Sequence, residues 1–362
     1  MPLRTALASL LSLLACFSAA SAEGPFPLGA LLSLSGTCSD VGEMSRRGIE
    51  LAVDDVNAAG GILGRPVSVI VEDTHESNSA SAVTAYRRLL LNRGLHYIIG
   101  PSCSPAGLAV APLAAKNEEI VLASPSIGLR EFNEAGENIF KLWPYDEDGP
   151  KLIARYAIGK GWKKAAIFSS QQTWEEAQGK WIEREFVRLG GSVSAKVEPL
   201  PGETVLSAEA AKLAASRPDV VFLCNYTRFE VAAQQLAKAG YKGPKISTLM
   251  TEEKIRLASG ALEGTVAYGY APATKEFMAA YTARYGSAPY SIGADTSYDI
   301  VRLYAKAINE AGTGDPLVVR RKLIQVRDYP GASGRLSIDD KGGVLRNPIL
   351  FVVRGQQLVP LE

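Results

Sequence analysis

Three stretches of the chain end an apolar run in residues suited to holding a small polar group. In the first, Ile98-Ile99 leads into Gly100-Pro101-Ser102-Cys103-Ser104-Pro105. Serine is a favoured helix N-cap and proline fits the first helical position, so Ser104 is expected to cap a helix that starts at Pro105. The amides that open a helix have no partner inside it and carry the positive end of its dipole, which suits a carboxylate. A helix that merely caps itself would show the same residues. The second stretch, Ala123-Ser124-Pro125-Ser126-Ile127-Gly128, turns after an apolar strand and presents backbone amides and carbonyls to an ammonium or a carboxylate, or simply forms a loop. In the third, Gln171-Gln172-Thr173-Trp174 and Asn225-Tyr226 each follow an apolar run. Trp174 and Tyr226 offer flat apolar surface with a polar handle, useful for clamping a small ligand and equally useful for local packing.

Catalytic patterns are missing. Gly60-Gly61-Ile62-Leu63-Gly64 lacks the spacing of a dinucleotide loop and follows a helix, so it reads as a turn. There is no phosphate-loop Gly-Lys-Ser/Thr and no Gly-x-Ser-x-Gly elbow. The two histidines, His75 and His96, stand at strand ends away from any recognisable nucleophile. With four cysteines beside them there is little for metal chemistry, no cofactor is implied, and an enzyme is not expected. Lys plus Arg is 39 against 38 Asp plus Glu, and this near balance gives no reason to expect nucleic acid or an anionic membrane as partner.

The elements that must position these residues alternate between strand and helix. The run 28–34 reads as a buried parallel strand, and Ile49, Ala52, Val53 and Val56 then form an apolar helical stripe. Residues 67–71 read as a strand, Ala80, Val83, Tyr86 and Leu90 as the stripe of a second helix, 96–99 as a strand, 105–116 as a helix and 120–123 as a strand. The rhythm repeats with strands at 164–168, 193–197, 220–223 and 246–249, and helices between them at 175–189 and 229–239. Helical patterns at 275–285 and 296–311 follow, then strand-like runs at 335–338, 349–353 and 358–360. Two blocks of β-α-β units, separated near residues 143–148, predict an α/β chain of two doubly wound, Rossmann-like lobes.

The N-terminus reads as an export signal. Arg4 supplies the positive start, residues 6–17 are apolar but too short to span a bilayer, and Ala20-Ser21-Ala22 is a small-residue cleavage site. Residues 1–22 would be removed, placing the chain in the periplasm. Leu13-Leu14-Ala15-Cys16 also resembles a lipobox, in which Cys16 would carry lipid and anchor the chain to a membrane.

Several motifs in order resemble the leucine/isoleucine/valine-binding group of periplasmic solute-binding proteins that serve ABC importers. These are Gly29-Ala30-Leu31-Leu32-Ser33-Leu34-Ser35-Gly36, Arg47-Gly48-Ile49-Glu50-Leu51-Ala52-Val53 with Asn57-Ala58-Ala59-Gly60-Gly61-Ile62-Leu63-Gly64, Asp295-Thr296-Ser297-Tyr298-Asp299, and Ile338-Asp339-Asp340-Lys341-Gly342-Gly343. The resemblance implies two lobes joined by three crossing strands, lobe 1 being residues 26–143 plus 270–345 and lobe 2 residues 144–269 plus 346–362. It implies a monomer that closes by a hinge on a small unaltered solute and then docks on a membrane permease. A ligand-sensing receptor module of the same fold is the alternative.

Carried over residue by residue, Ser104 falls at the family's carboxylate-binding serine, beside Cys103, and Ser126 at a position whose backbone meets the ligand. Gly128 stands where a hydroxyl residue is common, Trp174 replaces a tyrosine, and Tyr226 matches an aromatic of the second lobe. The acid that pairs an amino-acid ligand's ammonium falls at Leu249-Met250, with Glu252 or Glu253 as loose substitutes. An α-amino acid and a non-amino carboxylate therefore both stay open as the solute. In such relatives Cys103 has a disulfide partner near position 75, where this chain has none. The first and third strands of a doubly wound lobe are neighbours, which allows a Cys38–Cys103 bridge instead, and Cys224 reads as a small buried hydrophobe.

Overall fold

A computed structural model describes residues 24–75 and 79–361, so the expected export signal at 1–22 and the expected lipid site at Cys16 lie outside the described residues. The first sheet has five parallel strands, β1 (Phe26–Leu32), β2 (Val67–Asp73), β3 (Tyr97–Ile99), β4 (Val121–Ser124) and β5 (Ile139–Lys141), in the order β2-β1-β3-β4-β5. β1, β3, β4 and β5 are almost entirely buried, as a parallel sheet covered on both faces requires, and their residues read as continuous apolar runs. Four helices belong to this block: α1 (Ser39–Ala58), α2 (Ser79–Leu89), α3 (Ser104–Ala114) and the short α4 (Arg130–Asn133). α2 buries Ala82, Ala85, Tyr86 and Leu89. Of the expected stripe only Tyr86 faces inward. The small alanines let the helix approach closely, and Leu89 reaches under β1, where the methyl-free Gly29 leaves room for it.

The chain then crosses to a second sheet built from β6 (Lys164–Phe168), β7 (Ser192–Val197), β8 (Val220–Leu223), β9 (Lys245–Ser247) and β10 (Val266–Gly269). Helices α5 (Asp148–Gly159), α6 (Thr173–Arg188), α7 (Ser207–Ala215), α8 (Phe229–Lys238) and α9 (Glu252–Leu257) connect and cover these strands. After β10 the chain returns to the first lobe through α10 (Lys275–Tyr285), α11 (Ala294–Ala311), α12 (Pro316–Leu323) and the small hairpin β11 (Tyr329–Gly331) and β12 (Gly334–Leu336). A third crossing leads to β13 (Ile349–Arg354) and β14 (Gln357–Pro360), which complete the second sheet in the order β14-β13-β10-β9-β8-β6-β7. β13 runs antiparallel to β10 and to β14, and the remaining pairs are parallel. The three crossings, at 142–147, 270–274 and 345–348, lie outside both sheets, and the first is tied to the stretch before the third by a Pro144–Val344 bridge.

Each lobe has its own apolar core: Ile167, Phe186, Phe222 and Leu236 in the second, Leu28, Ile99, Val301 and Tyr304 in the first. In the first lobe α11 lies directly against α1, and the approach depends on Gly48. A Cβ there would stand 1.9 Å from the Ala294 carbonyl oxygen. Backbone cannot yield as a side-chain end can, so Gly48→Ala is expected to cost at least about 1–3 kcal/mol, read from urea unfolding of the variant. A variant as stable as the parent would show that α11 can shift outward freely.

Candidate functional site

A cavity lies between the lobes, at the carboxyl ends of the parallel strands where doubly wound sheets receive ligands. Ser102, Cys103 and Ser104 reach it from the β3–α3 connection and Ser126 from the turn after β4. Trp143 comes from the first crossing, Trp174 and Glu175 from the start of α6, Tyr226 and Thr227 from the turn after β8, and Leu249 and Ile292 close the apolar side. Cys103, Ser104, Ser126, Trp174 and Tyr226, all singled out from the sequence, thus share one cavity.

The start of α3 differs from expectation by one residue. Cys103 is the N-cap, with extended backbone and no side-chain capping bond, and Ser104 and Pro105 are the first two helical residues. Cys103 holds this place because it is bridged to Cys38, at the start of α1, with Cα atoms 6.6 Å apart. The Ser104 hydroxyl is therefore not consumed in capping and takes no hydrogen bond from the described residues. Its neighbours are fixed instead. Ser102 Oγ accepts the Ser33 amide at 2.9 Å, and Ser126 Oγ donates to the Ser102 carbonyl at 2.6 Å. Cys224 is buried in the second core with its thiol pushed up by burial, so it stays protonated and inert.

Gly128 does not line the cavity. It is buried against Asp146, and a Cβ on it would stand 2.1 Å from the Asp146 Cγ, so the missing side chain makes room for a carboxyl. Asp146 is completely buried. It accepts the Trp143 indole N–H at 3.2 Å on Oδ1 and the Trp174 indole N–H at 2.7 Å on Oδ2. Lys141, also without exposure, donates to the Gly128 carbonyl at 2.8 Å and stands over the Tyr145 ring. Burial raises the Asp146 carboxyl and lowers the Lys141 ammonium, and each charge works against the shift of the other.

The acid in the cavity wall is one that sequence reading passed over. Glu252 and Glu253 are exposed in the first turn of α9 and do not reach the cavity. Glu175 does, at 1 % exposure. Its Oε1 accepts the Thr227 amide and hydroxyl, both at 2.9 Å, and its Oε2 accepts the Ser170 hydroxyl. Burial, the largest influence, raises its carboxyl above the usual range. A glutamate directly after Trp174, in the first turn of a helix whose start faces the cleft, was the available signal.

The lobes also touch across the cleft. The Tyr226 hydroxyl of the second lobe and the Ser291 hydroxyl lie 2.8 Å apart and stand 3.1 Å and 3.0 Å from the Asp40 carboxylate of α1, so their two protons serve two of these three contacts, at least one of them to Asp40. Lys254 of α9 bonds the Tyr226 carbonyl at 2.9 Å and approaches Asp40 at 4.0 Å. These contacts bridge the cleft from one lobe to the other. Tyr226→Phe removes the phenolic link but keeps the ring that meets Trp174 edge-on at 6.1 Å. We expect the ligand-free variant to show a larger radius of gyration in small-angle scattering than the parent, and an equal value would deny the link any part in closure.

A family model of periplasmic binding proteins matches residues 25–356. The chain belongs to this family. Its relatives include the Leu/Ile/Val-binding protein homolog 7 of Brucella suis biovar 1, 25 % identical over 333 residues that cover 85 % of this chain and 83 % of the relative. Homolog 8 of Brucella melitensis biotype 1 is 28 % identical over 347 residues, 88 % of this chain and 84 % of the relative. Among solved structures, the leucine-binding protein LivK of Thermotoga maritima superposes with a TM-score of 0.84 at 22 % identity, covering 93 % of this chain and 97 % of that one. A solute-binding protein of R. palustris in complex with benzoate also gives 0.84, at 19 % identity and 93 % and 96 % coverage. At these identities the superpositions speak for the fold, which is the two-lobed α/β architecture expected from the sequence.

Proposed function

We propose that this periplasmic binding protein is the extracytoplasmic solute-binding component of an ABC importer. It captures a small organic solute by closing a hinge over it and presents the closed form to a membrane permease. Lobe 1 is taken as residues 26–143 plus 270–345 and lobe 2 as 144–269 plus 346–362. The chain works in the periplasm, either free after loss of residues 1–22 or anchored through a lipid on Cys16. The described residues include no helix long and apolar enough to cross a membrane.

The reading of the solute rests on the polarity of the cavity. Its polar end is the start of α3, where the Ser104 hydroxyl and the first helical amides meet a carboxylate with the helix dipole behind them. The opposite walls, Trp143, Trp174, Tyr226, Leu249 and Ile292, suit an apolar or aromatic body. An ammonium shut into this cleft without a carboxylate partner would cost several kcal/mol, against about −8 kcal/mol for micromolar binding. Glu175 already accepts three hydrogen bonds, and Leu249 is apolar. A carboxylate with an apolar body is therefore the better supported solute. An α-amino acid is the second reading, favoured by the acceptor position still open on Glu175, since a carboxylate offers about four.

Calorimetric titration with benzoate, 4-methylpentanoate, L-leucine, L-isoleucine and benzamide tests this. A carboxylate is expected to bind in the micromolar range and benzamide not to bind. Ser104→Ala is expected to weaken the bound carboxylate about tenfold, the worth of one charge-assisted hydrogen bond. Benzamide binding as tightly as benzoate would remove the carboxylate assignment.

A further inference from the structure

Two of the four tryptophans, Trp143 and Trp174, wall the cavity, and they come from different parts of the chain. Trp143 lies on the first crossing, while Trp174 opens α6 of the second lobe. Both indole N–H groups point away from the solute space to the same carboxyl, Asp146, one to each oxygen. Asp146 itself does not line the cavity. An indole without such a bond would be free to rotate about its side-chain torsions or would bury an unsatisfied donor, and a buried donor lacking an acceptor is costly. The surroundings are built around this carboxyl. Gly128 leaves the space it occupies, and Lys141, fully buried on β5, ties down the flanking backbone by donating to the Gly128 and Pro144 carbonyls.

We propose that Asp146 is a positioning residue for solute binding, a carboxylate clamp that fixes the Trp143 and Trp174 indoles as the rigid walls of the cavity. It acts through the indoles and never touches the solute. Preorganised walls lower the ordering cost of binding, and the clamp therefore sets affinity for any solute whose body lies between them. The inference deepens the solute-binding reading and rests on it for its binding arm only.

The test uses the described chain with its own disulfide. Asp146→Asn offers one acceptor where there were two and turns an amide N–H toward an indole N–H. Trp174→Phe keeps a flat ring and deletes one donor. Near-ultraviolet circular dichroism, which reports asymmetric fixing of indoles, reads the clamp without any solute. Asp146→Asn is expected to lose a substantial part of the tryptophan bands with unchanged far-ultraviolet spectrum. Titration with benzoate and L-leucine is expected to show a ten- to hundredfold weaker dissociation constant for whichever of them the parent binds. Asp146→Asn combined with Trp174→Phe is expected to cost less than the sum of the two single losses, because they share the Trp174–Asp146 bond.

If Asp146→Asn fails to fold because Lys141 is left as an isolated buried cation, Asp146→Asn with Lys141→Met removes that charge and carries the same measurements. Unchanged tryptophan bands in the variant overturn the clamp. Unchanged affinity of Asp146→Asn overturns its role in binding. Should the parent bind neither probe, the carboxylate and amino-acid readings of the solute fail, while the dichroism still decides whether the indoles are held.

Discussion

Replacing Cys38 and Cys103 by serine together is expected to lower the free energy of unfolding by about 4 kcal/mol. The bridge spans 65 residues of sequence, from the start of α1 across β2, α2 and β3 to the cap of α3. Closing a loop of that length removes much of the freedom of the unfolded chain, more than a short loop would. The folded state loses something as well. Cys103 caps α3 without a side-chain hydrogen bond, so the bridge anchors the residue from which the helix amides face the cavity. We therefore expect the double variant, or the parent treated with reductant, to unfold at lower urea concentration and to bind a carboxylate probe more weakly. Mass spectrometry identifies the bridged form in the same samples. A midpoint shift worth less than about 1 kcal/mol would mean that the unbridged unfolded chain is already constrained elsewhere.

Substitutions at Glu175 should separate its charge from its hydrogen bonds. Glu175→Ala orphans the Thr227 amide and leaves two hydroxyls without their acceptor in a dry wall, at a cost of roughly 3 kcal/mol. Glu175→Gln keeps an oxygen for Thr227 and gives an amide N–H to Ser170, and carries no charge. The pH dependence follows from burial. The native carboxyl is raised above its ordinary value of 4.5, with the Lys254 ammonium and the hydrogen bonds only opposing the shift. The folded state then holds a proton that the unfolded chain has released. The stability this group contributes is complete below pH 4.5 and is lost as pH rises through the raised native value. Glu175→Gln is expected to equal or exceed the parent at pH 7 and to lack this part of the pH slope. Parallel urea-stability curves for parent and glutamine variant between pH 4 and 8 would show that Glu175 titrates as it does in the unfolded chain.

Much of the architecture was legible because parallel strands buried on both faces announce themselves as apolar runs. Residues 164–168 and 220–223 are β6 and β8 to the residue, and 275–285 is α10. Where pattern failed, the reason is physical. β5 is three residues long and ends in a buried lysine, and α5 begins amid Asp148, Gly149 and Pro150, which resemble a loop. The cavity was half legible. Ser104, Ser126, Trp174 and Tyr226 follow strand ends, which is where doubly wound sheets collect their ligands. Gly128 enters the expected site through its place in the family pattern, where a hydroxyl residue is common, and nothing in its neighbours shows that a carboxyl fills the space beside it. Asp146 and Glu175 were passed over because a carboxyl is ordinarily read as solvated, and only the fold reveals two indoles or a Ser–Thr pair turned toward it.

The discontinuity of both lobes bears on when the protein can fold. The second sheet receives β13 and β14 from residues 349–360, at the far end of the chain, and the first lobe needs α11 against α1. Neither half can complete its packing until these late segments have been made. A translating chain of this topology completes its lobes late, because α11 packs on α1 from more than 200 residues away and β13 pairs with β10 from about 80. If the chain is exported unfolded, that delay keeps it fit for passage through a translocation channel.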